Sequence, residues 1–202
     1  MRNEKSEITG SSLPGAPSEG GDGGERSFPW YAAKLHSGSQ GELETYLTER
    51  GMQCFVPRER VTTVDKEGHR HTRFKPVVRN LLFVEKSLPE QEMRRIIYDA
   101  PHPIYIFRKS RESTEFYEIP SREMEEFRAM CNPDILMRRY LSEEQARLKA
   151  GTPVEVFAGP LKGLTGKLVR SNKQYFLLKE VPGMGVMLKV TRWCCRAINE
   201  TD

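Results

Sequence analysis

Residues 151–170 read GTPVEVFAGPLKGLTGKLVR, and the glycines in this stretch decide what the C-terminal part of the chain can be. Val154, Val156 and Ala158 alternate onto one face of a strand; Leu164, Gly166, Leu168 and Arg170 follow on the next. Gly159–Pro160 turns the chain out of the first strand, and Gly163 permits a tight return at positive φ. Gly166, inside a strand, lets the backbone bend or approach a neighbour closely. QYFLLKEV (174–181) and GVMLKVTRWCCRAI (185–198) supply two or three further strands across Pro182–Gly185. Several short strands at this spacing predict a small β-barrel, in which a chain of about 50 residues must bend sharply.

Charge sets this region apart. Residues 148–198 hold nine basic groups and two acids, a net of +7, which leaves −3 for the rest of a chain whose formal charge is +4. Such a basic domain points to a polyanionic or acidic partner.

Upstream, residues 1–27 are rich in Gly, Ser and Pro and are expected to be disordered. They lack the apolar core of a signal peptide, and no stretch reaches the length of a membrane span, so the expectation is a cytoplasmic protein with no membrane partner. PWYAAKLHS (29–37) reads as a strand with Trp30, Ala32 and Lys34 on one side and Tyr31, Ala33 and Leu35 on the other. A helix over 39–51 follows, with Ser39 and Glu42 as a capping box and Gly51 as its stop. Strands are expected at 52–57, 79–85 and 104–108. A helix is expected over 87–101, capped by Ser87 with Glu90 at the box position, and another opens at Pro120–Ser121 with Met124, Phe127 and Cys131 on one face. Residues 58–75 predict a basic hairpin with its tip at Asp65–Gly68, projecting from the core. The fold class is therefore α+β over residues 28–131, helices on a mainly antiparallel sheet. A linker spans 132–150, with Ser142 and Gln145 able to cap a short helical turn, and the barrel covers 151–199.

The cysteines, Cys54, Cys131, Cys194 and Cys195, form no C-x-x-C pair and read as reduced thiols. His69 and His71 alone do not hold a metal, so neither metal nor cofactor is expected. No nucleophile elbow, Walker loop or paired acids appear, and the chain is expected not to be an enzyme.

Val154, Val156, Gly159, Pro160, Lys162, Gly163 and Gly166 together resemble the KOW motif, found in SH3-like barrels of the NusG family and of several ribosomal proteins. Trp30–Tyr31, Glu42 with Leu47, Gly51-x-x-x-Phe55-x-Pro57 and Asn80–Glu85 resemble the N-terminal domain of the NusG family. Where general members carry Pro-Gly-Tyr entering the central strand, this chain has Arg79-Asn80-Leu81, which looks more like specialised bacterial paralogs of the RfaH and UpxY kind acting on selected long operons, often for surface polysaccharides. The resemblance implies transcription antitermination by a monomer that binds the clamp helices of RNA polymerase. Lys34, Leu81, Phe83, Tyr105 and Phe107 are the candidates for that contact. Lys66, His69, Arg70, His71 and Arg73 of the hairpin are candidates for non-template DNA near the bubble. The KOW domain, through the exposed Phe157–Lys162 loop, would meet the ribosome or a termination factor. A ribosome-associated RNA-binding protein is the alternative.

Overall fold

The computed structural model describes residues 27–135 and 137–198; the expected N-terminal tail lies outside the described residues apart from Ser27. A four-stranded antiparallel sheet runs in the order β2 (Cys54–Phe55), β5 (Leu81–Glu85), β1 (Trp30–Leu35), β6 (Ile104–Ile106). The period-two alternation of β1 sorts its side chains as expected. Tyr31, Ala33 and Leu35, with Leu82 and Val84, pack under α1 (Gln40–Glu49) and α2 (Glu90–Tyr98). Trp30, Ala32, Leu81 and Phe83 face the other way, against α3 (Ser121–Met130) and the C-terminal strands.

Helix ends differ in detail from the sequence pattern. Ser39 accepts from the Glu42 N–H at 3.3 Å, but the Glu42 carboxylate turns to His102 Nε2 at 2.7 Å, so only half the box forms. The cap of α2 is Pro89, not Ser87, whose hydroxyl is buried without a hydrogen-bond partner. Proline at 89 fixes an extended-to-helical entry (φ −54°, ψ 140°) and starts the helix later than a serine cap would. The hairpin forms as expected from β3 (Arg58–Val64) and β4 (Arg70–Pro76), a two-stranded sheet separate from the rest.

The C-terminal strands form one six-stranded antiparallel sheet, in the order β12 (Cys195–Ala197), β8 (Thr152–Val156), β9 (Thr165–Ser171), β10 (Gln174–Val181), β11 (Met184–Val190), β7 (Arg138–Ser142). Residues expected as a linker thus contribute a strand, and Ser142 and Gln145 complete a capping box that starts α4 (Glu143–Arg147). β10 is buried on both sides: Leu177 and Val181 join the core shared with the four-stranded sheet, while Phe176 and Leu178 pack with Met187 and Ala146 of α4. The glycines do what the motif required. Gly159 and Gly163 sit at φ 88° and 90°, and a Cβ on Gly166 would lie 2.5 Å from the Leu178 carbonyl oxygen.

Candidate functional site

Antiparallel register builds the first site. Lys34 on β1 stands opposite Leu81 on one side and Tyr105 on the other. Two residues back, Ala32 stands opposite Phe83, and its carbonyl accepts from the Phe107 N–H at 3.0 Å. Residues two apart on a strand share a face, so Lys34, Leu81, Phe83, Tyr105 and Phe107 occupy two adjacent cross-strand rows on one face of the sheet. The Tyr105 and Phe107 rings meet edge-on at 5.8 Å between centroids.

The face is not uniformly open. Lys34 is exposed, Tyr105 is 40% exposed and Phe107 is half-buried, but Leu81 and Phe83 are 2% and 0% exposed. Two things cover these two, and an ion pair between α3 and β10 ties the cover together. Phe127 of α3 packs edge-on against Phe83 at 5.4 Å, and Phe55 lies beside both. The turn between β10 and β11 lands on Leu81: a Cβ on Gly183 would approach its two methyls to 2.8 Å, and Gly183 holds φ 92°. Finally, Glu126 of α3 meets Lys179 of β10 at 2.6 Å, both carboxylate and ammonium being about nine-tenths buried, and Thr165 donates to the same carboxylate at 2.7 Å. Leu81 and Phe83 are therefore core in this packing, as the centre of a covered patch with an exposed rim. The periodicity of 79–85 marked them as apolar and central; nothing in it named Gly183, Glu126 or Lys179 as the cover.

An open cleft of about 320 Å³ lies where the two sheets meet at their margin, lined by Phe107, Tyr117, Ala146, Val181 and Met184 among others. It borders the rim of the covered face.

The hairpin holds the second set. Lys66, His69, Arg70, His71 and Arg73 are all exposed. The tip is organised by Asp65, whose carboxylate accepts from the backbone N–H groups of Glu67 (3.0 Å) and His69 (2.8 Å) and lies 2.9 Å from His71 Nε2. The His71 hydrogen bond, with those from the backbone, holds the Asp65 carboxyl below its ordinary value. The structure does not bring Arg70 and Arg73 together. Alternation puts Arg70 on the face of Phe74, and Arg73 on the face of His71 and Lys75. Ligand atoms of Asp65, Glu67 and His69 fall within 4.8 Å of one another, so two acids stand beside the histidine at the tip. Asp65 is already engaged by the turn's own N–H groups.

The motif loop of the six-stranded sheet is tied at its base: the Gly163 N–H donates to the Val156 carbonyl (2.7 Å) and the Val156 N–H to the Leu164 carbonyl (2.9 Å). Val154 and Val156 are buried, Phe157 is 45% exposed at the loop's start, and Pro160 and Lys162 are exposed. The thiols of Cys54 and Cys131 are both pushed up to about 12 by burial, which keeps them unreactive.

Among the described residues no helix is long and apolar enough to cross a membrane. No curated protein matches the chain. The family described as transcription termination factor nusG matches residues 28–128, half of the chain, which takes in the four-stranded sheet, the hairpin, α1, α2 and all but the last two residues of α3. On that match the chain belongs to the NusG family of transcription elongation and antitermination factors.

Proposed function

We propose that this protein binds the clamp helices of RNA polymerase through the face carrying Lys34, Leu81, Phe83, Tyr105 and Phe107, and there suppresses pausing or termination. The observation that carries this reading is the register: five residues named from three separate stretches fall into two adjacent rows on one sheet face. An apolar centre with an aromatic and cationic rim suits the tip of a helical pair. The six-stranded sheet, with its KOW motif, is read as the SH3-like barrel of an adaptor that meets the ribosome or a termination factor through the loop at Phe157–Lys162. Non-template DNA would lie along the hairpin, on the side of His71 and Arg73. Asn80, whose backbone carbonyl accepts from the Leu35 N–H at 2.8 Å, stands where the specialised paralogs of selected operons differ from general members. Cytoplasmic action as a monomer accompanies this reading.

The covered centre adds a condition. Polymerase can reach Leu81 only after the Gly183 turn withdraws, and Phe83 only once Phe127 of α3 moves as well. The apparent dissociation constant is then the intrinsic one divided by the open fraction.

The test uses the full chain and core RNA polymerase. Lys179→Met strands Glu126 and favours opening, which faster alkylation of buried Cys131 reports. It is expected to raise polymerase capture about a hundredfold or more, the effect of about 3–5 kcal/mol on the closed state. Adding Lys34→Glu and Tyr105→Ala, both at exposed positions, should abolish the gain. A variant that opens by Cys131 labelling yet captures no more polymerase would sink the reading. Retention of ribosomes without polymerase would favour the ribosome-associated alternative.

A further inference from the structure

Four metal-ligating side chains meet at the tip of the hairpin. Asp65 directly follows β3, Glu67 lies in the turn, His69 precedes β4 and His71 is its second residue. The backbone fixes where they stand. The Asp65 N–H donates to the His69 carbonyl (3.0 Å) and the Gly68 N–H to the Asp65 carbonyl (3.2 Å), with Gly68 at φ 88°.

The two oxygens of Asp65 have separate work. Oδ1 accepts from the N–H groups of Glu67 and His69 and holds the turn. Oδ2 faces two imidazole nitrogens, His71 Nε2 at 2.9 Å and His69 Nδ1 at 3.3 Å. Zinc bonds of about 2.0–2.1 Å set neighbouring ligand atoms about 2.9 Å apart at a right angle and about 3.3 Å apart at the tetrahedral angle. The nitrogens and the oxygen at the tip already stand at those separations. Glu67 brings a carboxylate oxygen within 4.8 Å of the Asp65 and His69 ligand atoms, and its exposed side chain can close the remaining distance by rotation. Exposed ion pairs contribute little to stability, so the fold does not demand two imidazoles on one oxygen. His69 and His71, which hold no metal by themselves, here gain the oxygen ligands they lacked.

We propose that Asp65, Glu67, His69 and His71 form a binding site for one divalent transition-metal ion of the zinc class. Two imidazoles with two carboxylates suit zinc, nickel and copper, whereas magnesium and calcium prefer oxygen ligands alone. Each ligating nitrogen is unprotonated, so any proton on His69 Nδ1 or His71 Nε2 leaves for solvent as the ion binds. The donors come from both strand ends and from the turn, so the ion clips β3 to β4. It also cancels the charge of the two carboxylates, which leaves Lys66 and Arg70 at the tip without opposing acids. The site rests on neither the polymerase nor the DNA reading.

The experiment titrates zinc chloride into the untagged full chain, followed by calorimetry and by the imidazole proton resonances. One ion per chain is expected, shifting the rings of His69 and His71 and leaving those of His36 and His102 unmoved. His69→Ala and His71→Ala are each expected to weaken zinc binding about ten- to a hundredfold or more, since loss of an outer-shell partner alone has an effect of that size. Asp65→Asn keeps an oxygen for the Glu67 and His69 N–H groups, so it should retain the turn by amide exchange and still lose zinc. Cys194→Ser with Cys195→Ser should leave the affinity unchanged, and excess magnesium should not displace the ion. The proposal is overturned if no zinc binds, if the bound ion leaves the His69 and His71 rings unmoved, or if the two histidine variants bind as wild type. Loss of zinc in the cysteine variant would place the ion at Cys194 and Cys195 and overturn it equally.

Discussion

The two faces of the four-stranded sheet are covered by different means. Tyr31, Ala33, Leu35, Leu82 and Val84 lie under α1 and α2, which follow their strands directly and contribute Leu43, Leu47 and Met93. That cover is apolar and local. Trp30, Ala32, Leu81 and Phe83 lie under α3 and a sheet some hundred residues distant in sequence, and that cover includes a buried carboxylate and ammonium and a bare glycine turn. Burying an ion pair gains little over an apolar pair of the same volume, because desolvation offsets the attraction. The first cover is apolar throughout, whereas the second sets an ion pair and a glycine turn within an apolar contact, and on the proposed reading it is the second that separates.

Substitutions can break that contrast. Lys179→Met leaves Glu126 buried beside only Arg122 (3.4 Å) and Thr165, and should destabilise the closed packing by about 3–5 kcal/mol in urea melts, while Glu126→Leu with Lys179→Met should restore most of it. Leu43→Ala leaves a cavity under the first cover and should cost about 3 kcal/mol in global stability with no selective labelling of Cys131. Gly183→Val forces a β-branched residue to φ 92° and against the Leu81 methyls; about 2 kcal/mol should appear as opening at the second cover alone. Ser142→Ala removes the cap of α4 and should cost about 1 kcal/mol.

The smallest effect separates the hairpin from both faces. Asp65 has a folded value below the ordinary carboxylate range, so its contribution is complete above about pH 4 and is lost as pH falls through the lowered value. Amide exchange at Glu67 and His69 should accelerate there before the sheets respond. Unchanged exchange would remove Asp65 as the organiser of the tip.

Much of this was legible in the residues because it is local. The alternation of 30–35, the apolar run of 81–84, the glycines of 159–166 and the hairpin tip all express steric and periodic rules that act within a few residues. Even the box at Ser142 and Gln145 was visible, though not that Arg138–Ser142 would pair with β11, since strand pairing depends on a partner distant in sequence. Ser87 misled for the converse reason: a neighbouring proline overrode a correct cap residue.

The sequence by itself determined most of the elements and the family, and it put Leu81 with Phe83 and Tyr105 with Phe107, because side-chain direction follows from parity along a strand; the register of β1 with β5 and β6 set both pairs on the face of Lys34. Only the tertiary structure decided that two of the five would be covered, that Glu126 would find Lys179, and that Arg70 and Arg73 would part. Those outcomes join residues far apart along the chain. They depend on which surfaces exclude water together, a property of the packed molecule that no local pattern carries.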